Sequence, residues 1–87
     1  MEKQLFMISS DWCGFCRYAQ PTAEKVCSDN DITFVKLDID DLPKQIKKPD
    51  AVPTFLFRVD SKTLEIWLGS DLDKLKEKCT KHFGRLK

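Results

Sequence analysis

What this chain lacks narrows its chemistry before any motif is considered. It has no surplus of either charge: 15 lysines and arginines against 14 acidic residues leave a formal charge of +1. The general attraction for phosphate backbones or anionic lipid that a basic excess creates is therefore missing, and nucleic acid is not an expected partner. It also has no long apolar run. Met1-Glu2-Lys3-Gln4 leads into only four strongly apolar residues, Leu5 to Ile8, whereas a secretory signal needs about 7–15 and a bilayer span roughly 20. No membrane segment is expected, and the chain reads as intracellular and cytoplasmic. Internal repeats, linkers and low-complexity tracts are missing too, so we expect a single domain over residues 1–87, acting as a monomer.

What is present suits a small folded domain. A chain of 87 residues buries only roughly 60–65% of its unfolded surface, which leaves room for one core. Hydrophobic residues make up 41% and charged residues 33%, too apolar for a disordered segment.

Leu5-Phe6-Met7-Ile8 is a short continuous apolar run, as in a strand buried on both faces. From Gly14 to about Ser28, apolar residues recur at Cys16, Ala19, Ala23, Val26 and Cys27, the spacing of one buried helical face, with a kink expected at Pro21. Ile32 to Ile39 reads as a second strand. The resulting strand–helix–strand unit is parallel with a right-handed crossover, and it sets Cys13 at the carboxyl end of the first strand. Asp40 to Asp50, with Pro43 and Pro49, reads as a loop holding at most a turn or two of helix. Thr54–Val59 and Leu64–Leu68 form a hairpin turning over Asp60-Ser61-Lys62. Ser70 or Asp71 then caps a helix with apolar positions Leu72, Leu75, Cys79, Phe83 and Leu86. The order predicts an α/β fold, a four-stranded mixed sheet flanked by helices.

Four cysteines in a reducing compartment point to redox catalysis or metal rather than to a disulfide framework. Trp12-Cys13-Gly14-Phe15-Cys16 is the strongest signal, because it places two thiols on one helical face where a strand enters a helix. Such sulfurs can close a small disulfide ring with little backbone movement. Cys13 falls at or before the first helical turn, where unpaired amides and the helix dipole favour a thiolate. It is the candidate nucleophile. Cys16, one turn further in, is placed to attack a mixed disulfide on Cys13 and release reduced substrate.

The same residues resemble the thioredoxin active-site motif Trp-Cys-Gly-Pro-Cys with one substitution. Pro21 is similar to the helix proline of that family, Lys36 to a lysine of the next strand, Val52-Pro53-Thr54 to the segment with a cis proline, and Gly69 to the glycine before the last helix. The resemblance covers nearly the whole chain, without the extra amino-terminal strand and helix of full-length thioredoxins. It implies a thioredoxin-like fold, a cis Pro53 beside Cys13, and a substrate groove made by Trp12, Gly14, Phe15, Val52 and Pro53. It also implies disulfide-containing protein substrates, thioredoxin reductase or glutathione as electron donor, and no cofactor beyond the redox-active disulfide. Two positions depart from the pattern. Phe15 replaces the motif's proline, and Met7 stands where thioredoxins place a buried aspartate. Asp11 reads as a solvated loop carboxylate rather than its substitute.

Other readings compete. Val52-Pro53 and Gly69-Ser70-Asp71-Leu72 partly resemble glutaredoxin, in which amides at a helix start hold the carboxylate of glutathione as co-substrate, with Arg17 or Lys36 supplying charge. Cys79-Thr80-Lys81-His82, taken with Cys13 and Cys16, supplies the count of a four-ligand zinc set. A binding module that keeps the fold without the redox chemistry is a third alternative. The dithiol context places thiol–disulfide exchange first, with no metal site. Cys27 and Cys79 read as buried small hydrophobes.

Overall fold

A computed structural model describes all 87 residues as four strands and two helices. Strand β1 (Lys3–Ser9) extends one or two residues beyond the apolar run at each end. Helix α1 (Gly14–Asp29) continues through Pro21 and buries Cys16, Ala19, Ala23 and Cys27, which all belong to the stripe read from the sequence. Strand β2 (Thr33–Asp38) follows, then a segment of turns, then β3 (Thr54–Val59), β4 (Lys62–Leu68) and helix α2 (Leu72–Phe83).

The sheet order is β2-β1-β3-β4. Strands β1 and β2 run parallel, as the α1 crossover requires, and the other pairs are antiparallel. Leu5 and Met7 from β1 and Phe55 and Phe57 from β3 share one core with the buried residues of α1 and with Leu75, Cys79 and Phe83 of α2. Both helices thus pack on the same sheet face. This refines the expectation of a sheet flanked by helices. Ile8 and Leu56 are also buried but belong to the opposite face, where Ile46 and Pro49 of the turn segment lie over them.

Residues 39–53 form turns without a helix, within the loop reading of Asp40 to Asp50, and one turn is closed by the Ile46 amide donating to the Pro43 carbonyl at 3.0 Å. Two local details differ from the sequence reading. The hairpin turn is tighter than read: Asp60 and Ser61 alone take positive φ, 51° and 68°, and Lys62 already belongs to β4. A two-residue turn of this kind matches the right-handed strand twist. Helix α2 stops at Phe83 because Gly84, at φ 96°, leaves helical space. Leu86 therefore packs against the core from beyond the helix. At the other end Asp71, not Ser70, is the cap, accepting from the amides of Asp73 and Lys74.

Candidate redox site

Register gathers the site. Ile8 of β1 lies opposite Thr54 of β3, and Thr54 opposite Leu68 of β4. The segments Ser9 to Cys13, Val52-Pro53 and Gly69-Ser70 therefore leave the sheet at one end. The Gly69 amide donates to the Pro53 carbonyl at 3.2 Å, tying two of them together. The Val52–Pro53 peptide is cis, Pro53 is buried, and Val52 is half-buried against the core that contains Cys13 and Cys16. Gly69 is required by close packing: a Cβ there would stand 2.5 Å from Cζ2 of Trp67.

Cys13 and Cys16 are joined as a disulfide, their Cα atoms 5.3 Å apart. Cys13 is the N-cap of α1, in extended conformation, and its Sγ accepts from the Cys16 amide at 3.1 Å. A capping sulfur here meets one of the unpaired donors at a helix start and the positive end of the helix dipole, both of which favour the thiolate after reduction. The pair is held in place by flanking contacts. The Cys13 amide donates to the Ser10 carbonyl, and the Arg17 guanidinium donates to the Asp11 carbonyl.

Both sulfur-bearing residues are shielded, with Cys13 at 5% and Cys16 at 2% exposure, but the aromatic residues around them are not. Trp12 is 73% exposed, Phe15 66% and Tyr18 64%. Trp12 is thus not a core residue. Gly14, Phe15 and Tyr18 face Ser70 across a shallow groove. Tyr18 escapes the sequence reading, although its position one helical turn beyond Phe15 was a usable signal.

Comparison with known proteins agrees with this geometry. The family model for thioredoxin matches residues 2–81. Thioredoxin H2 of Arabidopsis thaliana is 38% identical over 76 residues, covering 84% of this chain and 57% of that protein. Thioredoxin H5 of the same plant is 33% identical over 87 residues, covering 94% of this chain and 74% of its own length.

The chain belongs to the thioredoxin family. Its Cys13–Cys16 pair is a thiol–disulfide redox centre. Among solved structures, thioredoxin of Fasciola hepatica superposes with a TM-score of 0.79 at 28% identity, covering 93% of this chain and 81% of that one. Mitochondrial thioredoxin 3 of Saccharomyces cerevisiae gives 0.80 at 28%, covering 92% and 78%. The chain thus spans between about half and four-fifths of these relatives, and only 57% of the first plant protein. The glutaredoxin reading is not favoured by a thioredoxin match of this extent.

The thioredoxin fold places the remaining candidates away from the disulfide chemistry or at its margin. Met7, at the position of the expected aspartate, is fully buried and apolar. Lys36 is exposed on β2 yet lines the same small pocket as Cys16. Asp11 is exposed. Cys27 and Cys79 are free and buried, and burial, joined at Cys27 by their mutual repulsion as thiolates, pushes both thiols up to about 12. The alternative four-ligand zinc set is not assembled, since Cys13 and Cys16 are joined to each other as a disulfide and His82 is held by Glu65 at 2.6 Å. No helix is long and apolar enough to cross a membrane.

Sequence reasoning missed the Glu65 cluster. Glu65 on β4 accepts from Lys78 and meets His82, residues one turn apart on α2, with Lys81 at 3.9 Å. The Lys78 and His82 hydrogen bonds lower the Glu65 carboxyl to about 2. Alternation of Glu65 with Trp67 toward α2 was the available signal.

Proposed function

We propose that this single domain is a reductase of protein disulfides in a reducing compartment such as the cytoplasm, with Cys13 attacking and Cys16 resolving. The observation that carries the assignment of roles is the Cys13 Sγ at the N-cap, accepting the Cys16 amide at 3.1 Å. A thiolate formed there is stabilised before any substrate arrives. Its attack on a partner disulfide forms a mixed disulfide and expels one substrate thiolate. Cys16 then attacks Cys13 Sγ, the substrate leaves as its second thiolate, and the protein disulfide closes.

Trp12, Gly14 and Phe15 on one side and Val52 and Pro53 on the other form the docking surface for an extended segment of the partner. Exposed aromatic rings beside shielded sulfurs support this reading, because a partner that covers the rings also brings its own sulfur to Cys13. The buried free thiols of Cys27 and Cys79 suit a compartment in which thiols stay reduced. The protein acts as a monomer, needs no cofactor beyond its own dithiol, and is recharged by a thioredoxin reductase rather than by glutathione.

The deciding experiment compares two coupled assays of protein-disulfide reduction, one driven by a thioredoxin reductase and the other by glutathione with glutathione reductase. Turnover in the first and not the second is expected. The opposite result overturns the choice of donor, and no turnover in either, with Cys13 intact, overturns the reductase reading.

A further inference from the structure

Residues 39–53 cross the sheet face opposite the helices as turns, so they cover that face only in part. A cleft of about 350 Å³ stays open between this segment and strands β3 and β4. Its accessible apolar surface comes from Ile66, 64% exposed on the strand side, and from the half-buried Ile46 and Pro49 on the segment side, while buried Leu56 closes the floor. Leu64 and Leu68 extend the same face of β4, at 44% and 53% exposure. A cleft of this volume falls in the range that encloses a small organic molecule.

The charge around the cleft is mostly of one sign. Although the whole chain carries a formal charge of only +1, Lys47, Lys48 and Arg58 line the cleft against a single acid, Asp50. None of the chain's ion pairs involves Lys47, Arg58 or Asp50, and Lys48 reaches only Asp40, at 3.9 Å. Arg58 is half-buried and fixed, stacked over the Phe6 ring at 4.8 Å with Nη2 donating to the Ser61 carbonyl at 2.8 Å. A half-buried guanidinium held in this way is oriented but not neutralised, and a carboxylate arriving from outside supplies the missing charge.

We propose that this cleft binds a free amphipathic monocarboxylate of the medium-chain fatty acid type, with its hydrocarbon against Ile46, Leu56 and Ile66 and its carboxylate at Arg58, Lys47 and Lys48. Both halves of the ligand are needed. The apolar walls disfavour a sugar phosphate, whose hydroxyls would lose water without finding partners, and the cations favour an acid over an uncharged chain of equal length. Binding is non-covalent and uses neither Cys13 nor Cys16, which belong to the core on the other face of the sheet. The site therefore stands whichever of the two cysteines attacks.

Titration of the full chain with sodium decanoate below its micellar range, followed by backbone amide NMR, tests this directly. Shifts should saturate and concentrate at Thr54, Leu56, Thr63 and Ile66, while Gly14 and Phe15 stay still. Octanoate, two methylenes shorter, should bind about tenfold more weakly, since a fully buried methylene is worth roughly a factor of four and this cleft is partly open. 1-Decanol, with the same chain and no charge, should also bind about tenfold more weakly than decanoate. The double variant K47Q/K48Q should weaken decanoate about fivefold and leave decanol unchanged, whereas Ile66→Ala should weaken both ligands alike. Arg58→Gln should weaken decanoate further, and if that variant fails to fold, the lysine and Ile66 variants carry the test. Equal affinity for decanoate and decanol, shifts spread over the whole chain, or decanoate binding untouched by K47Q/K48Q and Ile66→Ala overturns the proposal. So does sedimentation of the chain with phosphatidylglycerol vesicles without saturable binding of free decanoate, which would make this face a membrane-contact surface instead.

Discussion

The Cys16 amide donates to Cys13 Sγ at 3.1 Å, so the residue that closes the disulfide ring also supports its partner's negative charge once the ring is open. The support runs one way. Cys13 sits at the cap and receives a helix-terminal amide, whereas Cys16 lies inside the first turn with its sulfur turned to the core and to the small pocket that Lys36 also lines.

Trapping follows from that asymmetry. Cys16→Ser should accumulate a stable mixed disulfide between Cys13 and a protein substrate, seen as a shifted band on a non-reducing gel that a reductant removes. Cys13→Ser should form none and lose turnover completely. Equal trapping by both variants would show that the two sulfurs are interchangeable.

Exposure separates docking from stability. Trp12 is 73% exposed, so Trp12→Ala removes little buried area and should leave the melting temperature within a degree or two. Loss of an aromatic anchor at an interface costs about 1–2 kcal/mol, which corresponds to roughly a tenfold rise in KM for a protein disulfide. Turnover of a small disulfide that does not reach the ring should stay near wild type. A large fall in melting temperature would show instead that Trp12 is a structural residue.

The elements easiest to read from sequence are those whose information is local. The Trp12 to Cys16 motif, the Cys16-Ala19-Ala23-Cys27 stripe and the β3–β4 hairpin each depend on spacing within a few residues; the stripe is buried as read, and the hairpin forms with a turn one residue shorter than read. What sequence left open depends on distant pairing. Placing both helices on one sheet face requires the strand order β2-β1-β3-β4, in which the central pair is set by residues about fifty positions apart. The Glu65 cluster needs β4 to lie under α2, and the pocket that Cys16 shares with Lys36 needs β1, α1 and β2 to converge. The end of α2 was misjudged for a different reason: Leu86 keeps the apolar spacing, but Gly84 breaks the helix before it.

Acid should release the Glu65 cluster. The Lys78 and His82 hydrogen bonds lower this carboxyl from 4.5 to about 2 in the folded chain, so its contribution is fully present above pH 4.5 and is lost as pH falls toward 2. Glu65 is partly exposed, which limits the effect, and Glu65→Gln should cost about 1 kcal/mol at neutral pH. Denaturant midpoints measured for both proteins from neutral pH down to acid should converge as the wild-type carboxylate protonates. A constant difference across that range would show that packing against Lys78 and His82, not charge, holds β4 to α2.

Burial should make the redox pair the only thiol chemistry of the folded chain. Cys27 and Cys79 are at most 1% exposed, and burial raises both thiols to about 12, so at pH 8 almost none of either is thiolate. The oxidised protein should therefore take up no alkylating reagent until denaturant unfolds it, and then two equivalents, one at each free cysteine. After reduction, Cys13 should label first and fast, located by peptide mass. Rapid native labelling at Cys27 or Cys79 in the oxidised protein would mean that the contact between α1 and α2 opens far more readily than a core sealed by Ala23, Leu75 and Phe83 allows.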